Sequence, residues 1–230
     1  MKTIGLLGGM SWESTLSYYR IVNEVVKERL GGLHSAQVVL YSVDFHAIEQ
    51  LQQAGDWETA GRMLGAAASC VEAAGADFVV LCTNTMHRVA DAIEASVHIP
   101  LLHIADSTAD AIKLAGVSKV GLLGTRFTME QAFYKDRLIG RHGLNVITPG
   151  LQDRDTVHRV IYEELCLGRI DDSSRTAYRH IMSKLVAEGA EAIVLGCTEI
   201  SLLVGSDDAT VALFDTTRLH ARRAAEYALE

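Results

Sequence analysis

The chain is short of several things, and each shortage removes a class of protein. Proline occurs twice in 230 residues and no stretch is low in complexity, so long disordered linkers are not expected. No apolar run approaches the roughly 18 residues that a membrane-spanning helix needs. The apolar start Thr3–Met10 carries three glycines and runs straight into Ser11-Trp12-Glu13, with no small-residue cleavage pattern of a signal peptide. Positive charge is in deficit: the net charge of −8 argues against nucleic-acid partners, which need a basic face. Lysine is scarce, at six, and none ends a strand as a Schiff-base lysine would, which disfavours pyridoxal chemistry. Nine histidines include no HExxH pair, and the four cysteines, at 70, 82, 166 and 197, include no CxxC pair or zinc-like Cys/His spacing. No carboxylate cluster suggests a metal either. The expectation is a cytoplasmic enzyme without metal or cofactor, acting on a small molecule, with free thiols and no membrane contact.

What is present is an ordinary globular composition, 49 % hydrophobic and 22 % charged, long enough for one large domain or two of about 100 residues. Short apolar runs closed by small residues read as buried parallel strands over 3–8, 37–43, 77–82, 100–104, 119–124, 145–148, 192–197 and 210–214. Helical periodicity fills 15–30, 59–74, 107–115, 129–141, 156–167 and 173–188. Alternating strand and helix predicts an α/β fold built on parallel sheet.

The chain also repeats itself. Ile4-Gly5-Leu6-Leu7-Gly8 is echoed by Val120-Gly121-Leu122-Leu123-Gly124. The run Gly75 to Thr83 is echoed by Gly189 to Thr198, with one glycine, Gly196, inserted before the second Cys-Thr. Gly5 and Cys82 lie 77 positions apart, Gly121 and Cys197 76 apart. Matching order, spacing and a Cys-Thr ending in both copies indicate a duplication, hence two similar α/β domains related by a pseudo-two-fold axis. Ligands of such sheets sit at the carboxyl ends of the strands, which here would bring both cysteines to one cleft between the domains.

Two thiols in mirrored positions suit one reaction in particular. Inverting a stereocentre takes a base on one face of the carbon and an acid on the other, and the two exchange roles when the reaction reverses. A thiol between a strand end and a helix start is expected to have a lowered pKa. Thr83, Asn84 and Thr85 add donors for a substrate carboxylate.

Gly8-Gly9-Met10-Ser11-Trp12-Glu13, Cys82-Thr83-Asn84-Thr85-Met86-His87 and Gly196-Cys197-Thr198-Glu199-Ile200 together resemble the aspartate/glutamate racemase family, closest to its L-aspartate/glutamate-specific and broad-specificity amino-acid racemases. The resemblance spans essentially the whole chain. It implies a pyridoxal-independent amino-acid racemase, usually a homodimer, with Cys82 and Cys197 as the catalytic pair. It also implies substrate contacts at Met10, Gln52, Thr83, Asn84, Thr85, Thr125 and Thr198. The first domain would comprise 1–98 with 212–230, and the second 99–211. Aspartate-specific members carry a lysine where this chain has Cys166 and an arginine near Gln52. Losing two cations weakens the hold on an acidic side chain, so a relaxed preference is expected unless Arg126 or Arg169 substitutes.

Other residues admit simpler readings. Gly5-x-x-Gly8-Gly9 lacks dinucleotide spacing and is expected to let the backbone approach a small substrate. His87 is read as a solvated or capping residue, with thiolate tuning as the alternative. Glu199, beside Cys197, would raise that thiol's pKa or serve as a structural hydrogen-bond partner. Asp106 and Asp215 occupy equivalent positions and read as helix N-caps. Two competing functions remain: a related two-cysteine isomerase of maleate or hydantoin type, and a non-catalytic amino-acid binding protein.

Overall fold

The computed structural model describes residues 1–230. In chain order the elements are β1 (Ile4–Gly8), α1 (Trp12–Leu30), β2 (Val38–Ser42), α2 (Phe45–Ala54), α3 (Trp57–Ala73), β3 (Phe78–Leu81), α4 (Ala90–Glu94), β4 (Leu101–Leu102) and α5 (Ile104–Leu114). They continue with β5 (Lys119–Gly124), α6 (Arg126–Glu130), α7 (Ala132–Asp136), β6 (Asn145–Ile147), α8 (Leu151–Glu163), α9 (Asp172–Ala187), β7 (Ala192–Gly196), α10 (Ile200–Leu203), β8 (Ala212–Asp215) and α11 (Thr216–Leu229). All eight expected strands form. No helix is long and apolar enough to cross a membrane.

Two four-stranded parallel sheets result, ordered β2-β1-β3-β4 and β6-β5-β7-β8, so the second repeats the first strand for strand. Apart from Lys119 at the start of β5, their central strands are apolar, because a parallel sheet is covered on both faces; every residue of β1 and β7 is buried. The edge strand β2 is exposed from Leu40 onward. The chain divides into two compact units, unit 1 comprising Met1–Ile104 with His220–Glu230, and unit 2 comprising Ala105–Leu219. These divisions fall later than the expected 98/99 and 211/212, because β4 pairs with β3 in the first sheet and β8 with β7 in the second.

In unit 1, Tyr18, Val22 and Val26 of α1 and Ala221, Ala224 and Ala225 of α11 pack on the face formed by Ile4, Leu6, Phe78 and Val80. The opposite face, Leu7, Val79 and Leu81, carries α2 and α3 through Ile48, Leu64 and Ala68. In unit 2, α8 and α9 cover Leu123, Ile193 and Leu195 with Val157, Tyr178 and Leu185. Each fully buried side chain of this size contributes roughly 1.5–3 kcal/mol.

Three local differences from the sequence reading have plain causes. No helix was expected at α2, yet Asp44 caps it, accepting from the His46 N–H at 3.1 Å, and Gly55 ends it in the left-handed region at φ 71°. The expected helix 129–141 breaks at Gln131, which is extended (φ −87°, ψ 152°), and finishes in a π-turn over Arg137–Arg141. Asp215 does cap α11, accepting from Thr217 N at 2.9 Å. Asp106 does not cap, because α5 starts two residues before it. Instead Arg137 grips it with two hydrogen bonds of 2.7 Å, and His142 Nε2 lies 2.8 Å away. Burial alone would raise the Asp106 carboxyl, but these contacts outweigh it and hold the group at about 2.

Candidate active site

Within each unit the candidate residues gather where two adjacent strands end. In unit 1, β1 pairs with β3 up to Leu7 and Leu81, and the Cys82 N–H donates to the Leu7 carbonyl at 3.0 Å. The segments carrying Met10 and Cys82 therefore leave the sheet side by side. Met10, Thr83, Asn84 and Thr85 are buried there. Gln52, also buried, reaches from α2 to the Met86 sulfur at 3.0 Å. In unit 2, β5 pairs with β7 up to Gly124 and Gly196, so Thr125 and Cys197 leave that sheet side by side. Thr125 caps α6, accepting from the Thr128 N–H at 3.3 Å. Thr198 donates to Glu199 Oε2 at 2.7 Å.

The glycines after β1 serve the protein's own packing. Gly9 sits at φ 91°, and a Cβ there would fall on the Val43 carbonyl oxygen. A Cβ at Gly8 would fall on the Thr15 side chain, whose hydroxyl accepts from the Gly9 N–H at 2.9 Å. The close approach expected for a ligand is thus made by β2's following loop and by α1.

The inserted glycine changes which way the thiols face. Gly8 and Gly124 are equivalent, and Gly124 pairs with Gly196, so the position equivalent to Cys82 is Gly196, one residue before Cys197. Side chains alternate along a strand, so one extra residue moves a side chain to the other face. Cys82 accordingly packs with Phe78, Val80 and Tyr18, on the α1/α11 face. Cys197 packs with Ile193, Leu195 and Tyr178, on the α8/α9 face.

The environments of the two sulfurs also differ. Both thiols are buried, and the lowered pKa expected from the strand-to-helix position is not what the structure gives. Burial in apolar surroundings pushes the Cys82 thiol well above the usual thiol range. A five-residue 3₁₀ turn, Thr85–Val89, follows it before α4 begins at Ala90, so no regular helix starts at the thiol. Its Sγ lies 3.5 Å from the Val80 carbonyl. Cys197 is raised by burial and then by the charge of Glu199, to which its thiol donates at 3.0 Å. Both thiols therefore rest protonated, and the Cys197 proton already lies on a hydrogen bond to a carboxylate.

His87 is not solvated, and it caps the first N–H of α5 rather than its own helix. Its buried ring donates from Nδ1 to the Thr83 carbonyl at 2.7 Å and accepts from the Ile104 N–H at Nε2, 3.2 Å away. Sequence reading missed His220 as a participant: wholly buried, it links Tyr18 and the Leu102 carbonyl. Its only signal was a histidine in an alanine-rich helical stretch. Of the two candidate substitute cations, Arg126 is paired with Asp155 at 2.7 Å and Arg169 is exposed. Cys166 sits half-buried against the Cys197 core, whereas Cys70 is exposed on α3.

A duplicated parallel α/β chain with a buried thiol closing the same strand in each copy fits the racemase class of isomerases. This chain belongs to the Asp/Glu/hydantoin racemase family, whose profile matches residues 7–224, and it is a racemase by that membership and by its structural relatives. A crystal structure of a proposed Asp/Glu racemase from Yersinia pestis is 60 % identical, with TM-score 0.93 and full coverage of both chains. PH1733 from Pyrococcus horikoshii OT3, an aspartate racemase homologue, is 35 % identical, with TM-score 0.85 and full coverage of both. The broad-specificity amino-acid racemase RacX of Bacillus subtilis (strain 168) is 22 % identical over 221 residues, 93 % of this chain and 92 % of that one.

Proposed function

We propose that the protein interconverts L- and D-amino acids by two-base proton transfer at the α-carbon, without pyridoxal, with Cys82 and Cys197 on opposite faces of that carbon. The observation that carries this reading is the duplication itself: each unit ends the same strand in a Cys-Thr pair. One sulfur, as thiolate, takes the α-proton; the carbanion-like centre receives a proton from the other thiol, and a thiol and a thiolate remain with roles exchanged. In the resting enzyme Cys197 is the acid, because its S–H is held by Glu199. Cys82 becomes the base by releasing its proton to water as the substrate binds, the substrate ammonium group beside it favouring the thiolate. Thr83, Asn84 and Thr85 in unit 1 and Thr125 and Thr198 in unit 2 supply donors for the substrate carboxylate as charge builds on it. Met10 and Gln52 border the side chain.

The side-chain preference is broader than aspartate. Gln52 and Cys166 offer an amide and a thiol where aspartate-specific relatives place cations, and Arg126 is engaged by Asp155. A neutral or larger side chain costs less there than an unpaired carboxylate. The enzyme works in the cytoplasm, where its four free thiols stay reduced, and as a homodimer. Trp12, Leu16 and Tyr19, exposed along one stripe of α1, give a second copy an apolar surface.

Proton–deuterium exchange at the α-carbon, followed by NMR in D₂O on single L- and D-amino acids without added cofactor, tests the reading and ranks the substrates. Deuterium entry with loss of optical purity, strongest for amino acids other than aspartate, is expected. No exchange with any amino acid by a folded protein would move the function to the maleate- or hydantoin-type isomerases, or to amino-acid binding.

A further inference from the structure

Unit 1 holds a buried group of histidines that proton transfer does not use. The ladder between β3 and β4 ends at Val80 and Leu102, and beyond it the two segments part: one continues into Cys82 and Thr83, the other into His103 and Ile104. The ring of His87 bridges the gap, with Nδ1–H on the Thr83 carbonyl and Nε2 receiving the Ile104 N–H. A carbonyl can only accept and an amide N–H can only donate, so the two bonds together fix the ring as the neutral Nδ1–H tautomer. An imidazole is well shaped for this, presenting a donor and an acceptor on different edges of one rigid plane.

The ring is also held sideways. The His103 ring lies 4.3 Å from it and the His220 ring 5.9 Å, measured between centroids. His220 donates to the Leu102 carbonyl at 2.8 Å and pairs with the Tyr18 hydroxyl at 2.9 Å. Two histidines thus secure the backbone at Leu102 and at Ile104, the last residue of unit 1 before the chain passes to unit 2. The residue five after Cys197 is Leu202, an exposed leucine, and unit 2 has no histidine brace; there the Ser201 hydroxyl donates to the Thr198 carbonyl at 3.5 Å instead.

We propose that His87 is a positioning residue for Cys82, a neutral clamp that fixes the peptide following the thiol against the Ile104 amide. The proposal rests on Cys82 being one of the two bases. It accounts for how the peptide after Cys82 is fixed where the chain enters a 3₁₀ turn before α4, and where the thiol itself has no charged partner comparable to Glu199. Proton transfer between a sulfur and a carbon tolerates little displacement; an error of about 1 Å costs on the order of 100-fold in rate.

The test compares wild type, His87→Phe and His87→Asn. Phenylalanine keeps the planar ring and loses both hydrogen bonds, whereas asparagine keeps a donor near the Nδ1 position. Two readouts are taken on each protein: the iodoacetamide alkylation rates of Cys82 and Cys197, resolved by peptide mass mapping, and kcat and KM for the best substrate of the wild type. The clamp predicts Cys82 alkylation at least about tenfold faster in His87→Phe, with Cys197 within about twofold of wild type. It also predicts kcat down by about 100-fold with KM little changed, and partial recovery of kcat in His87→Asn. Wild-type alkylation and kcat in His87→Phe would overturn it. So would equal acceleration at both cysteines, which means general loosening. If His87→Phe does not fold, His87→Asn and His87→Gln decide by the same criteria, each keeping one of the two bonds. The alkylation arm needs no activity, so a protein that racemises nothing still reports on the clamp. A failed clamp in an active enzyme leaves the two-base reading standing.

Discussion

Unit 1 and unit 2 have the same strand order, the same parallel registers and a buried cysteine closing the same strand, yet they secure those cysteines by different means. In unit 1 the thiol has a carbonyl two residues back for company, and the polar work is done one peptide away, by His87 and the rings around it. In unit 2 the thiol donates directly to Glu199, and no histidine brace follows. One inserted residue, Gly196, separates them further by turning Cys197 to the α8/α9 face while Cys82 remains on the α1/α11 face. Duplication preserved the scaffold down to its hydrogen-bond register, whereas the electrostatics of the two ends diverged. A repeat therefore indicates where paired groups lie without indicating that they are equivalent.

The largest effect should come from the sulfurs. Cys82→Ser and Cys197→Ser are each expected to lower racemisation by about 1000-fold, within the range of a lost acid or base, as measured by polarimetry. Retained racemisation in either variant would break the pairing of the two units.

Acid should separate the units next. Burial pushes His220 down to about 4. Its neutral form is the one the fold accommodates among Tyr18, His87 and the Leu102 carbonyl, so its contribution is complete above pH 6.5 and disappears as pH falls toward 4. That contribution is roughly 3 kcal/mol, from the difference between the two values at 1.36 kcal/mol per pKa unit. Asp106 in unit 2 behaves oppositely in range: with its carboxyl held at about 2, its contribution persists at pH 4 and is lost only below. Hydrogen exchange by mass spectrometry at pH 4.5 and 7 should show unit 1 losing protection first. Simultaneous loss in both units would remove His220 as the cause.

Glu199→Gln should cost about tenfold in rate, a little over 1 kcal/mol. Without the neighbouring carboxylate charge the Cys197 thiol ionises at lower pH, so its alkylation at a fixed pH should accelerate while that of Cys82 does not change. The smallest effect belongs to Asp215→Ala, which removes the α11 cap and should destabilise by about 1 kcal/mol in thermal unfolding.

The scaffold was readable because parallel sheets demand continuous apolar strands, and both copies supply them, as β1 and β5 or β3 and β7 show. The cysteines were readable for the same reason, since each ends such a strand. What escaped was decided by long-range burial. Position alone suggested lowered thiol pKa values, but desolvation outweighs a short helical turn. Asp106 looked like Asp215 in sequence, yet the π-turn that carries Arg137 and His142 to it is formed 31 residues downstream and beyond. The roles of His87 and His220 depended on backbone groups at Ile104 and Leu102, which no local pattern ties to them.

The hydrogen bond between Cys197 and Glu199 carries a thermodynamic consequence for a catalyst of racemisation. Mirror-image amino acids in water have equal free energy, so the equilibrium constant between them is one. The ratio kcat/KM must then be the same for both enantiomers, whatever protein surrounds the sulfurs. An unsymmetrical pair of bases cannot make the enzyme faster in one direction at low substrate. It can only choose which enantiomer saturates it first, trading turnover against affinity in equal proportion. The carboxylate beside one thiol, and the lack of one beside the other, should therefore be visible as unequal KM values in a pair of reactions whose specificity constants are identical.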